Sequence, residues 1–292
     1  RAGGLVGGHG AIVHLPMPCN GLQAVRYSCG GTVCPGKPYA QNPTGAPILN
    51  LQSLLNIELP IVQAPMAGAQ GSAMAVAVSN AGALGSLPCA MLSVQAMRDE
   101  LTLLRAQTTR PYNVNFFCHT PPVVDAARDA RWAEALAPYF HELGLDPASS
   151  DPGAGRAPFT AEVADVLAEF KPPVVSFHFG LPPAGLLARV KGWGAKVLSS
   201  ATTVDEAVWL EAHGVDAVIA QGLEAGGHRG IFLSDDLTTQ VGTFALLPQV
   251  VRAVNIPVIA AGGIADAKGV AAAVALGAAG VPLVMGSDSG NW

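Results

Sequence analysis

His178 is the titratable side chain best placed for chemistry, because it sits near the end of a strand-like run, PVVSFHF, at residues 173–179. Strand alternation puts Val174, Ser176 and His178 on one face and Val175, Phe177 and Phe179 on the other. An imidazole at a strand end can take or give a proton near neutral pH. The bland alternative is a core histidine satisfied by a neighbouring hydroxyl or carbonyl. The run alone leaves both open.

Two glycine-rich turns add a second kind of chemistry. Residues 217–230, AVIAQGLEAGGHRG, open as an apolar strand, end it at Gln221, and continue through Gly222, Gly226, Gly227 and Gly230. Residues 257–264, PVIAAGGI, repeat the design with Gly262 and Gly263. Glycines let backbone N–H groups converge on an anion without a Cβ in the way. Together the turns point to a phosphate gripped at one rim of a parallel β structure, with ordinary βα turns as the alternative.

Other polar groups fall at strand ends. Gln63, Ala64, Pro65 and Met66 close the run PIVQAPM at 60–66; Asn113 and Asn115 lie in YNVNFF at 112–117. The loop after Gln221 carries Glu224, read as a solvated carboxylate, and His228 and Arg229, which with Ser176 are candidates for contacting a substrate. These strand ends show no Ser–His–Asp order, paired carboxylates or metal-ligand cluster, so a bound cofactor is expected to carry the chemistry. The amides of Gln63, Asn80, Asn115 and Gln221 suit a ring with alternating donors and acceptors, such as a flavin's pyrimidine edge. One phosphate grip without an adenine-binding fingerprint favours FMN over FAD, with no metal.

The elements that must position these groups follow from periodicity. Strands are expected at 60–66, 83–87, 112–117, 173–179, 196–201, 217–220, 257–261 and 281–286. Helical patterns fall between them at 72–80, 94–108, 123–143, 160–170, 186–193, 204–213, 244–254 and 267–276, with Gly214 closing one of them. Eight strands alternating with helices imply parallel pairing and a closed (β/α)8 TIM-type barrel. A doubly wound open sheet is the rival, but the first turn, Ala67-Gly68-Ala69-Gln70-Gly71, lacks its glycine fingerprint. After the eighth strand only residues 287–292 remain, so the eighth helix and any cover segment are expected to be missing, leaving an exposed outer strand face that favours a homo-oligomer.

Composition narrows the class. Charged residues are 13% of 292 and hydrophobic residues 50%, enough for a large core with strands covered on both faces. A net charge of −5 without a Lys/Arg cluster argues against nucleic acid, and no uninterrupted apolar span suggests a membrane. Five cysteines without C-x-x-C spacing give neither a zinc site nor a disulfide framework, so a reducing cytoplasm is the expected compartment. Residues 1–50, rich in Gly and Pro and holding Cys19, Cys29 and Cys34, read as a low-order leader, and residues 51–292 as the barrel.

The segments PIVQAPMAGA, VSNAGALGS, VVSFHFGLP, AQGLEAGGHRG and IPVIAAGGI, in this order, resemble the nitronate monooxygenases, formerly called 2-nitropropane dioxygenases. The resemblance covers about residues 51–280. It implies an FMN-dependent barrel that oxidises alkyl nitronates, or nitroalkanes, with O2 to carbonyl compounds and nitrite. It also places Asn80, Gln221, Gly226 and Gly263 on FMN-binding positions and His178 on the catalytic histidine. The usual Gly-Thr pair that completes the phosphate site is matched here only by Gly286 and Ser287 in a shifted register. Two other readings stay open: a related FMN barrel that reduces a quinone or an enoyl thioester with NAD(P)H, and a truncated, inactive barrel.

Overall fold

The computed structural model describes residues 50–146 and 157–283. The expectations for the leader, for Gly286 and Ser287, and for a missing eighth helix fall outside those residues.

Among the described residues, eight parallel strands close into a ring. They are β1 (Ile61–Gln63), β2 (Gly85–Pro88), β3 (Tyr112–Phe117), β4 (Val174–His178), β5 (Lys196–Ala201), β6 (Ala217–Gln221), β7 (Val258–Ala261) and β8 (Val281–Leu283). Strands β2 to β7 form one six-stranded ladder in chain order, and β1 pairs with β8. Bridges Val62–Leu84 and Ile259–Gly280 join the two sets. Hydrogen bonds from Gln63 N to Leu84 O (2.8 Å) and from Ala260 N to Gly280 O (3.0 Å) seal the joins, which excludes the open-sheet alternative. Several strands are shorter than the apolar runs suggest. β1, for instance, ends at Gln63, short of Ala64, Pro65 and Met66.

Among the described residues, helices run back outside the ring: α2 (Ser72–Asn80), α3 (Val94–Gln107), α4 (Ala126–Glu142), α5 (Ala161–Phe170), α6 (Ala184–Gly192), α7 (Val204–Ala212), α8 (Thr243–Ala253) and α9 (Ala267–Ala275). Side-chain caps start several of them at the C-terminal rim of the strands. Ser93, Thr160, Thr203 and Asp266 accept backbone N–H groups of α3, α5, α7 and α9. Each such cap stabilises by about 1 kcal/mol. α4 is different: none of its residues is buried, and Trp132 and Tyr139 are exposed.

The alternation of each strand separates two cores. Outward residues such as Val114, Phe116, Val175, Phe177, Val197, Val218 and Val258 pack with Leu101, Leu104, Leu167, Leu210, Leu246 and Leu247 of the helices. Inward residues Val62, Leu84, Val174, Leu198, Ala217 and Ile259 form a smaller cluster inside the ring. A short helix before the first strand, α1 (Leu51–Leu55), seals that cluster from below with Leu51 and Leu55. Sequence periodicity missed α1, whose five residues are too few to show a period. The lower half of the lumen is therefore apolar and closed, so a site can form only at the upper end.

Candidate active site

Above the apolar layer, the next inward positions are polar. Asn113 Nδ2 donates to Ser86 Oγ (3.1 Å) and Ser176 Oγ (2.9 Å), and Asn115 Nδ2 donates to the same Ser176 hydroxyl (2.9 Å). Asn113 Oδ1 is buried and has no hydrogen-bond partner. These groups form the floor of a cavity of about 530 Å³ at the C-terminal ends of the strands. A larger recess of about 820 Å³, walled by Cys118, Leu187 and Trp209, holds neither His178 nor the glycine turns, so the smaller cavity is the candidate.

His178, the last residue of β4, reaches this cavity from the same face as Ser176, as alternation requires. Its Nδ1 lies 2.5 Å from Ser200 Oγ and its Nε2 lies 3.2 Å from the backbone carbonyl of His228. Burial pulls the imidazole pKa down to about 4; the hydrogen bond to the His228 carbonyl opposes this, and the charge of His228 adds to it. The ring is therefore neutral around pH 7. Phe179 and Phe117 pack on it, with centroids at 4.4 and 5.9 Å.

The loop after β6 folds back over the ring. Gln221 Nε2 donates to His228 O (3.0 Å), and Gly230 N donates to Gln221 Oε1 (2.8 Å). A Cβ on Gly230 would stand 2.6 Å from His178 Cε1 and 2.9 Å from Ser200 Oγ. Only glycine lets the backbone come this close. Gly226, Gly262 and Gly263 line the far wall, where added Cβ atoms at Gly262 and Gly263 would meet Thr243 Oγ1 at 2.7 Å and Glu224 Cβ at 2.9 Å. Glu224 is not a simple solvated carboxylate. Its Oε2 accepts from Thr243 N (2.7 Å) and Oγ1 (3.0 Å), capping α8. Burial raises its pKa, but these hydrogen bonds outweigh burial and leave it below the ordinary value.

Ala64, Pro65, Met66, Asn115, Ser176, Gln221, Gly226, His228, Gly262 and Gly263 line the same cavity as His178. Four sequence candidates do not. Asn80 sits at the far end of α2, bonded to Thr108 Oγ1 (2.7 Å) and Gln107 O (3.4 Å). A helix that follows a barrel strand runs back along it, so its last residue arrives at the opposite rim. Gln63 is 4% exposed. Its amide is spent on Gln70 Oε1 (2.6 Å) and Ser86 N (3.1 Å), so it fixes the β1–α2 turn. Arg229 points to Gln240 Oε1 (3.2 Å) instead of the cavity, and Gly227 turns the chain at φ +77° behind it.

Sequence reasoning missed Ser200 and Glu206. Extending the alternation of KVLSSA from Lys196 would have put Leu198 and Ser200 on the lumen face. Glu206 follows Thr203 at capping-box spacing and bonds locally to Thr202, but its bonds to Phe232 and Leu233 lie far along the chain and no spacing reveals them.

The residues present fit a flavin. The unpaired Asn113 Oδ1 offers an acceptor to a ring N–H, Gly226, Gly262 and Gly263 put no side chain on their part of the wall, and Ala64 to Met66 supply an apolar side. Among the described residues, no three His, Cys, Asp or Glu side chains come close enough to hold a metal ion, and no helix is long and apolar enough to cross a membrane.

Residues 49–287 match the family model for nitronate monooxygenase. A nitronate monooxygenase of Paraburkholderia phytofirmans is 47% identical over 233 residues, covering 78% of this chain and 63% of its own length. One of Pseudomonas aeruginosa is 42% identical over 235 residues, covering 79% and 66%. Of these curated relatives, then, the chain spans slightly less than two thirds of the length. The nitroalkane oxidase of Streptomyces ansochromogenes superposes with a TM-score of 0.72 at 41% identity, covering 80% of this chain and 66% of that one. FabK of Thermotoga maritima does so with a TM-score of 0.59 at 35% identity, covering 79% and 59%.

Proposed function

The chain belongs to the nitronate monooxygenase family, and on that premise we propose that it binds FMN and oxidises alkyl nitronates with O2 to carbonyl compounds and nitrite. The observation that carries this reading is the meeting of His178 with the glycine wall of Gly226, Gly262 and Gly263 in one cavity above a sealed apolar lumen. The bound flavin would supply the electron acceptor. Gly226, Gly262 and Gly263 would hold its phosphate through backbone N–H groups. Asn113 and Asn115 would face its ring, with Ala64, Pro65 and Met66 excluding water on one side.

His178 would take the proton from a neutral nitroalkane. A preformed nitronate needs no base, and a neutral imidazole offers it no positive charge, so the base role is the one the ring's environment supports. The acid form of a buried imidazole is stabilised when an anion shares its cavity, as a newly formed nitronate would. Release of the bound chromophore by denaturation, followed by chromatography, and a nitrite assay with ethyl nitronate test the reading. FMN and nitrite are expected. FAD, or flavin without nitrite, would overturn it.

A further inference from the structure

We propose that α4 is a self-pairing surface, on which the α4 of a second copy of this chain lies antiparallel. Such pairing does not depend on the chemistry of the cavity.

The helix is long enough to pack, yet it leaves most of its surface uncovered. α4 (Ala126–Glu142) has 17 residues, and none of them is buried. Leu136 and Phe140 are half-buried, so that side meets the rest of the chain. Roughly a quarter-turn around the helix, Arg128, Trp132, Ala135, Tyr139 and Glu142 are all exposed. Trp132 keeps 67% of its surface in water and Tyr139 60%. Monomers rarely leave a contiguous apolar face of this kind in solvent.

The steps between these five residues are four, three, four and three positions, the heptad spacing of a helix–helix seam. Outward from Ala135 the seam carries an aromatic ring on each side, then Arg128 at one end and Glu142 at the other. A second copy turned about a two-fold axis at Ala135 matches it layer by layer. The two Ala135 methyl groups let the helices approach. Trp132 then meets the second copy's Tyr139, and Arg128 meets the second copy's Glu142, each contact being made twice. A parallel pair would set Arg128 against Arg128 and Glu142 against Glu142, so charge selects the antiparallel arrangement.

The end charges are available for this. Arg128 has only local contacts, with Asp129 Oδ1 at 3.4 Å and the Val123 carbonyl at 3.5 Å. Among the described residues, Glu142 has no ion pair. A lipid surface is a poorer match, because it asks for a basic polar face. Here Arg128 and Arg131 are offset by Asp129, Glu134 and Glu142. Four rings, each able to bury on the order of 150–250 Å², and their flanking side chains bring the seam to roughly 1,000 Å². That is the lower end for specific pairing, so the dimer should be reversible.

Sedimentation velocity of the full chain over a wide range of concentration tests the assignment. The parent should pass from monomer to dimer, and Trp132→Asp should stay monomeric with an unchanged circular dichroism spectrum and melting temperature. Arg128→Glu and Glu142→Arg each act at both ends of the seam and should each weaken the dimer by about tenfold. The double variant, with the pair reversed, should recover most of that loss. A parent that stays monomeric overturns the proposal, as does a dimer that survives Trp132→Asp. Single reversals that the double variant does not repair overturn the antiparallel seam. A monomer whose tryptophan emission shifts to the blue on anionic phospholipid vesicles gives the face to a lipid surface, and overturns it too.

Discussion

Glu206 Oε1 accepts the backbone N–H of Phe232 at 2.6 Å, tying α7 to the loop that carries the His228 carbonyl and Gly230. Its second oxygen accepts from Thr202 N (2.7 Å) and Thr202 Oγ1 (2.8 Å) at the end of β5, beyond Ser200. Leu233 N adds a further bond at 3.2 Å. A carboxylate that is 1% exposed survives burial because these donors satisfy it.

Removing that carboxylate leaves the donors buried and unpaired. Glu206→Ala should destabilise the protein by about 1–3 kcal/mol, the cost of leaving buried donors without an acceptor. Urea unfolding followed by tryptophan fluorescence measures it. A loss under about 1 kcal/mol would show that water or a shifted loop takes over the donors.

Truncating the proposed base separates two substrates. His178→Asn should keep the flavin while turnover of neutral nitroethane falls by about 100-fold or more, and turnover of preformed ethyl nitronate falls much less. Steady-state kinetics with both substrates checks this. Equal losses on both would return His178 to a packing role.

The glycine wall should tolerate no side chain. Gly262 adopts φ +118°, and a Cβ there would lie 2.7 Å from Thr243 Oγ1 and 2.8 Å from Ala225 N. Strain of this kind costs about 1–3 kcal/mol. Gly262→Ala should therefore weaken FMN binding by about tenfold or more, read by quenching of flavin fluorescence on titration.

Acidification should unfold the protein partly through His178. Its folded pKa of about 4 lies below the ordinary 6.5, so between those values the unfolded chain binds a proton that the folded ring refuses. Stability is full above this window and falls as pH drops through it. The lowered Glu224 carboxyl acts in the same direction at the acid end, its contribution being lost as pH falls through its folded pKa. The thermal midpoint should decline from pH 6.5 to 4, and His178→Asn should flatten the upper part of that decline. Parallel profiles for parent and variant would contradict the burial of a neutral imidazole.

Where the fold was legible in the sequence, the reason is local. Apolar runs such as VVSFHF and AVIAQ become strands because parallel barrels bury both strand faces, and the period of two in β4 already set Ser176 and His178 on the lumen side. What was not legible depends on the ring. Asn80 looked like a rim amide until the direction of α2 carried it to the other rim, where it meets Thr108. Gln63 is consumed by Gln70, a partner across a turn whose shape no spacing encodes. Ser200 and the His228 carbonyl reach His178 from β5 and from the loop after β6, which only the closed register brings together.

Whether this cavity works on nitronates through FMN and O2 is decided by one stopped-flow comparison. The FMN-loaded chain is mixed anaerobically with ethyl nitronate in one run and with NADH in another, and flavin absorbance is followed before O2 is admitted. The nitronate, not NADH, should alter the flavin spectrum, and nitrite should appear with O2 consumption. Rapid bleaching by NADH with no response to the nitronate would contradict it and place the chain among the related flavin reductases.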